Sequence, residues 1–276
     1  MKMPFTKMHG LGNDFILIDC RDRSVTGVLP AFEELSSKLC NRRLGIGADQ
    51  MLLLYDSDKA DFRMRIFNAD GSEVEMCGNG IRCFAKYIWD RGISTVDTIS
   101  VETAAGIIKP ERSGDMVRVD MGEPVLEGRL IPVNLDGPVR NFPLKIEDTE
   151  FKVTCVSMGN PHAVIVVEDV AAVALEKYGP LIETGELFPR RTNVEFIQIM
   201  GRDRIKMRVW ERGAGETMAC GTGAAAAGVA AALNGLTVRL VTVSLPGGEL
   251  VIEWKENNHV YMTGPAVEVF EGTVAI

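Results

Sequence analysis

Cys77 and Cys220 each open a Cys-Gly-x-Gly tetrapeptide that runs directly into a helix-forming stretch. A thiol at a helix start meets the positive end of the macrodipole and unpaired backbone N–H groups, which draws its pKa from about 8.5 toward neutrality and makes it a usable base. The glycines leave the first-turn N–H groups open, so Gly78, Asn79, Gly221 and Thr222 form two half-cradles suited to a carboxylate. Two such thiols, a base on one face of a carbon and an acid on the other, are what inversion of an amino-acid stereocentre by proton transfer requires. Helix starts aimed at the carboxylate oxygens stabilise the carbanion's charge as an oxyanion hole does. That chemistry calls for no pyridoxal phosphate and no metal. The six cysteines, at 20, 40, 77, 83, 155 and 220, include no Cys-x-x-Cys pair and no Cys/His grouping at zinc spacing.

The two cysteines occupy one position of an internal repeat. Arg63 to Gly80 (RMRIFNADGSEVEMCGNG) lies over Lys206 to Gly223 (KMRVWERGAGETMACGTG) without a gap, with Glu73 and Glu216 equivalent. Gly12-Asn13 before Phe15 to Ile18 resembles Gly159-Asn160 before Ala163 to Val167. Arg42-Arg43 with Gln50 resembles Arg190-Arg191 with Asn193, and Val117 to Pro124 resembles Val260 to Pro265. Two copies in register argue against a tight turn that merely happens to contain a buried cysteine.

The elements that must position these residues are short apolar runs: Met51 to Leu54, Ile99 to Glu102, Val117 to Asp120, Ala163 to Val167, Val194 to Ile199 and Leu250 to Trp254 read as strands. Helices are expected after each Cys-Gly-x-Gly, over Ile81 to Arg91 ending near Gly92 and over Thr222 to Leu233 ending near Gly235. The fold class is therefore α+β. Two pseudo-symmetric domains are expected, each a strand-rich, barrel-like sheet around a central helix, with the active site in the cleft between them. The first covers residues 1–122, with the strand at 267–276 returning to it, and the second covers residues 123–266.

Other residues join the candidate site. His162, after Gly159-Asn160-Pro161, can reach a cleft and act on a neighbouring thiol. Glu211-Arg212 stands where a strand enters a glycine-rich loop; Arg212 can hold a carboxylate bidentately and Glu211 an ammonium, the rival reading being a solvated turn pair. Asn13, Gln50, Asn68, Asn160 and Asn193 fall at strand ends or turns and in isolation read as turn residues. His9 and His259 read as structural or surface residues, and Cys20, Cys40, Cys83 and Cys155 as buried filler.

The 276 residues are 46% hydrophobic and 25% charged, the balance of a globular protein. The net charge of −8, with no basic run to offset it, sets nucleic-acid binding aside. Gly223 to Leu233 is too short and too rich in alanine to anchor in a membrane. No signal-peptide pattern occupies Met1 to Ile18, and the simplest expectation is a cytoplasmic protein.

Along nearly its whole length the chain resembles the diaminopimelate epimerase family. The motifs that carry the resemblance are FTKMHGLGNDF (Phe5 to Phe15), GADQ (Gly47 to Gln50), FNADGSEVEMCGNGIRC (Phe67 to Cys83), MGNPHAV (Met158 to Val164) and WERGAGETMACGTG (Trp210 to Gly223). Proline racemases share the fold and the paired cysteines but differ around them. The resemblance implies cofactor-independent interconversion of LL- and meso-2,6-diaminopimelate, a step toward lysine and cell-wall precursors. Cys77 and Cys220 become the acid/base thiols, and His162 and Glu211 the residues that tune them. Asn13, Gln50, Asn68, Gly78, Asn79, Asn160, Asn193, Glu211, Arg212, Gly221 and Thr222 match the substrate-contacting positions. A homodimer is the family expectation. Met218 stands where the family pattern has Leu, a volume-conserving change. The rivals are a racemase or epimerase of proline, hydroxyproline or another small amino acid, a cysteine hydrolase with His162 as base, and a non-catalytic anion-binding protein.

Overall fold

The longest apolar runs, Phe15 to Ile18 and Met51 to Leu54, are buried on both strand faces, the signature of strands covered by helices on each side. In the computed structural model, which describes residues 2–22 and 31–276, they lie side by side and parallel. The chain divides into two compact units, Met1–Val119 with Gly264–Ile276, and Asp120–Thr263.

The first unit comprises β1 (Lys2–Gly10), β2 (Asn13–Asp19), α1 (Phe32–Cys40), β3 (Gln50–Tyr55), β4 (Phe62–Asn68), β5 (Glu73–Val74), α2 (Gly78–Asp90), β6 (Val101–Thr103) and β7 (Gly106–Ile108). The hairpin of β8 (Glu111–Ser113) and β9 (Met116–Asp120) follows. The final strand, Val267–Ala275, returns to this unit, so the sheet order is final strand-β1-β2-β3-β4-β6-β7 with β5 on β4. Helix α2 packs on one face against β1, β2 and β3. Helix α1 covers the other, where Leu35, Leu39 and Cys40 join Ile16, Ile18, Met51 and Leu53 in one cluster.

The second unit repeats the plan with β10 (Phe142–Ile146), β11 (Thr149–Ser157), β12 (Pro161–Val166), α3 (Leu175–Glu183), β13 (Asn193–Gly201), β14 (Arg204–Glu211), β15 (Gly215–Thr217), α4 (Gly221–Leu233), β16 (Leu240–Leu245), β17 (Gly248–Trp254) and β18 (Val260–Gly264). Its strands follow the order β10-β11-β12-β13-β14-β16-β17-β18, with β15 on β14. Helix α4 touches β11, β12, β13, β14, β16 and β17, so the sheet wraps around it. The final strand of the chain is β19.

The duplication is exact in register. Phe15 opposes Gln50 and Gln50 opposes Asn68 in the first unit, as His162 opposes Asn193 and Asn193 adjoins the end of β14 in the second. Phe67 opposes Glu73, as Trp210 opposes Glu216. Both wrapped helices end alike: Gly92 and Gly235 adopt positive φ, and the next N–H, of Ile93 or Leu236, bonds back to Ile88 or Ala231.

Both helices begin at the first glycine after the cysteine, three residues before the expected Ile81 and one before the expected Thr222. Helices α1 and α3 were not foreseen: neither has a capping side chain at its start, and α3 carries Gly179-Pro180 inside it. Gly179 has a packing reason, since a Cβ there would lie 2.5 Å from Trp210 Cγ. The indole cannot swing away, because its Nε1–H donates to buried Glu183 at 2.8 Å. Gly179→Ala is therefore expected to destabilise the protein by about 1–3 kcal/mol despite its better helix propensity, measured as a lowered urea midpoint.

Candidate active site

Each cysteine is the residue immediately before its helix and caps it with sulfur. The N–H of Gly80 donates to Cys77 Sγ and that of Gly223 to Cys220 Sγ, both at 3.4 Å. The second motif has no room for a larger residue three places in, where a Cβ on Gly223 would lie 2.7 Å from the Glu195 carboxylate; in the first, a Cβ on Gly80 would fit tightly, 3.3 Å from Leu52 and 3.4 Å from Phe15.

In the first unit the structure gathers Asn13, Cys77 and Asn79. Cys77 Sγ lies 3.6 Å from Asn13 Oδ1, which also accepts from Asn79 Nδ2 at 3.3 Å. Asn13 is held by its other end, Nδ2 donating to Asp49 at 2.9 Å. Asp49 in turn belongs to an ionic cluster: Arg42 grips Asp14 with both terminal nitrogens, at 2.7 and 3.0 Å, and Asp49 at 2.7 Å, while Lys7 reaches Asp14 at 2.6 Å. Lys7 also donates to the Gly47 carbonyl. Gln50 and Asn68 form a second amide pair, Nε2 to Oδ1 at 2.9 Å, and Asn68 is steadied by Ser72. Gln50 Oε1 is buried with no hydrogen-bond partner among the described residues.

The second unit places ionisable groups where the first has neutral ones. Cys220 is 6% exposed and lies 3.5 Å from Thr222 Oγ1. Glu211 stands where the first unit has Asn68, accepts a hydrogen bond from the Thr217 hydroxyl and carries its charge beside the Cys220 thiol. Its carboxyl pKa is raised by burial and by the charge of Glu195, which the Thr217 hydrogen bond, the thiol and His162 only partly oppose. His162, in the place of Phe15, is fully buried, with Nε2 2.9 Å from Asn160 Oδ1 and Nδ1 2.7 Å from Glu195 Oε1. Glu195 takes the place of Leu52.

Several expectations change here. The Cys220 thiol is pushed well above its ordinary pKa by burial first and then by the charges of Glu211 and Glu195, so the helix start does not bring it toward neutrality. Glu211 is no solvated turn residue. Asn193 is largely committed to the protein, its Nδ2 donating to the Pro161 carbonyl and its Oδ1 accepting from the Arg212 N–H, both at 2.9 Å. The Arg212 guanidinium is exposed and makes one 3.3 Å bond to the Arg190 carbonyl. Gly78, Gly221 and Thr222 form the first turns of α2 and α4 as expected.

Three residues escaped the sequence reading. Glu183 of α3 bonds both Trp210 and the Gly213 N–H, fixing the turn that carries Arg212. Asp49 orients Asn13. Glu195 had a visible signal, a lone charge in the apolar run Val194 to Ile199 where the other copy reads Met-Leu-Leu-Leu. The four remaining cysteines are buried, and burial pushes Cys20 up to about 11 and Cys83 and Cys155 to about 12.

The fold is shared with solved structures of different names. A hydroxyproline epimerase from Agrobacterium vitis superposes with a TM-score of 0.70 at 14% identity, covering 100% of this chain and 93% of that one. A PhzF-family phenazine biosynthesis protein from Bacillus anthracis gives 0.73 at 16% identity, with 100% of each chain covered. These likenesses define the fold alone. The particular family follows from sequence: residues 5–127 and 154–269 match the family described as diaminopimelate epimerase. Curated relatives of that name from Pelotomaculum thermopropionicum and Acetivibrio thermocellus are 57% and 55% identical, covering 98% and 99% of this chain and 98% of each relative. The chain belongs to the diaminopimelate epimerase family.

The ionic cluster behind Asn13 gives a pH-dependent test. Burial alone would raise the Asp14 carboxyl, but Arg42 and Lys7 outweigh it and hold the group well below the usual carboxylate range. Its folded-state pKa lies below the unfolded value, so its stabilisation is present above about pH 4 and drains away as pH falls through the folded value. Asp14→Asn is expected to destabilise the protein by roughly 1–2 kcal/mol at neutral pH, discounted for the exposure of Arg42. The difference from wild type should narrow in urea titrations at pH 3.

Proposed function

We propose that this protein interconverts LL- and meso-2,6-diaminopimelate by passing the α-proton between Cys77 and Cys220. Membership of the family carries the substrate. The paired cysteine-capped helix starts support the mechanism. A thiolate on one face takes the α-hydrogen and a thiol on the other returns one, so the two sulfurs exchange protonation states in each turnover. The carboxylate of the reacting end accepts hydrogen bonds from the first-turn N–H groups around Gly78, Asn79, Gly221 and Thr222, which stabilise the charge that develops there. Because its surroundings hold the Cys220 proton, Cys220 is assigned as the donor to the first substrate bound and Cys77 as the acceptor. The substrate of opposite configuration reverses the roles.

His162 and Glu211 tune this exchange, Glu211 through its charge beside the thiol. Asn13, Gln50, Asn68, Asn160 and Asn193 line the substrate polar groups, Asn193 chiefly by holding Arg212. Arg212, with an exposed planar fork, binds a carboxylate, and a substrate with a second amino-acid end supplies one beyond the reacting carbon. We also read the protein as a cytoplasmic homodimer. Strand β19 lies at the margin of its sheet and exposes Val267, Val269 and Phe270, an apolar edge that a second copy would cover. No described helix is long and apolar enough to cross a membrane.

Purified protein stripped of metal and pyridoxal phosphate should epimerise LL-diaminopimelate and incorporate solvent deuterium at the α-carbon. A requirement for either additive defeats the two-thiol scheme. Cys77→Ala and Cys220→Ala should each abolish turnover, and kcat/KM should follow a bell-shaped pH profile. Arg212→Lys keeps charge but loses the fork, so it should weaken substrate binding by roughly 1–3 kcal/mol, read chiefly in KM. A change of under about twofold would return Arg212 to the status of a solvated surface residue.

A further inference from the structure

The fold needs no ionisable pair behind its cysteine-capped helix. In the first unit Phe15 and Leu52 fill the space against Gly80, and the helix, strands and cysteine cap form without difficulty. The second unit has His162 and Glu195 at the same two register positions, both fully buried. Replacing an apolar pair by a buried imidazole and carboxylate is unfavourable for stability unless every atom is satisfied. Here one is not: Glu195 Oε2 is buried without a hydrogen-bond partner among the described residues. An asymmetry that the fold does not require, and that weakens it, points to the chemistry.

The geometry points to Glu195 as a positioning residue that keeps Cys220 protonated in the resting protein, acting from behind Gly223 as one half of a proton-sharing pair with His162. This rests on the reading of Cys220 as an acid/base thiol. Asn160 Oδ1 accepts from the imidazole Nε2, which places a hydrogen there. A second proton then lies between Nδ1 and Glu195 Oε1, on either atom, and the pair is neutral overall in both arrangements. Its carboxylate end is the one near the thiol: Glu195 Oε1 and Cys220 Sγ lie 2.7 and 3.3 Å from the same point, the site of the missing Gly223 Cβ. Negative charge or a carbonyl dipole held there disfavours a thiolate. When Cys220 gives its proton to the substrate, the shared proton can shift toward Glu195 and relieve the repulsion, so the pair protects the thiol at rest without forbidding the thiolate in turnover.

The other titratable group facing α4 is Glu211 on β14, whereas Cys155 of β11 pairs with Ala163 and lies on the opposite face of the sheet, in the cluster with Leu175 and Ile182 of α3. Strand β16 carries none, and Glu249 and Glu253 of β17 alternate with the inward Leu250 and Ile252 and face away from the helix.

The test is the titration of Cys220 by NMR in protein carrying 13C at cysteine Cβ, its signal assigned by loss in Cys220→Ser and that of Cys83 serving as a control. In Glu195→Gln, at a pH on the foot of the wild-type curve, the Cys220 thiolate fraction should rise about tenfold, with the Cys83 signal unmoved. If Glu195→Gln does not fold, His162→Phe with Glu195→Leu installs the residues of the first unit and should give the same rise. Coincident curves in the folded variant overturn the proposal. A role in packing alone lowers stability and leaves the curve in place, which also overturns it. Because no substrate is present, a protein that proved inactive on diaminopimelate would leave this result standing, and the two readings fail separately.

Discussion

How closely a helix can approach the sheet that encloses it governs both halves of this protein. The approach is closest at single residues: Gly223 meets Glu195, and Gly228 lies where a Cβ would be 2.9 Å from Ile252, whereas α2 buries Ile81, Phe84 and Ile88 as well as Gly80. Helix α4 answers with alanine at seven of its thirteen positions, and small size, not apolar area per residue, is what the site selects. From that close fit follows the position of the sulfur. The cysteine before each helix is held by the cap bond its sulfur accepts from the first turn.

Identical backbones then support different chemistry. The strand pairings β2–β3 and β12–β13 match residue for residue, and the side chains at the matched positions are Phe15 and His162, Leu52 and Glu195, Asn68 and Glu211, Val74 and Thr217. In each pair the second unit holds the more polar or more readily ionised group. Duplication supplied two equivalent thiols, and divergence confined the carboxylates and the imidazole to one of them. A two-base reaction benefits, because at any moment its two sulfurs must be in opposite protonation states, and identical environments would not bias that choice.

Much of this was legible in the residues. The repeated Cys-Gly-x-Gly, the gapless alignment of Arg63 to Gly80 with Lys206 to Gly223, and the helices after them are local patterns, and local patterns survive translation into structure. Helices α1 and α3 were not legible because their starts carry no capping side chains and because Gly179 and Pro180, read locally, argue against a helix in α3; contact with Trp210 and the sheet overrides them. The direction of the Cys220 shift was misread for a related reason. The helix start is visible in sequence, whereas desolvation and the approach of Glu211 and Glu195 are properties of the assembled unit, and together they exceed the dipole. Glu195 shows the converse: a charge inside an apolar run is a conspicuous anomaly, yet only its burial beside His162 gives it meaning.

The pairing of β19 with β1 sets Lys2 opposite Ala275 and joins the last described strand to the first as hydrogen-bonded neighbours. In order of synthesis the second unit, Asp120–Thr263, is complete while the first still lacks its marginal strand. The unit that begins the chain is thus the last to be finished, and until the ribosome has made Val267 to Ala275 the edge of β1 presents open N–H and C=O groups.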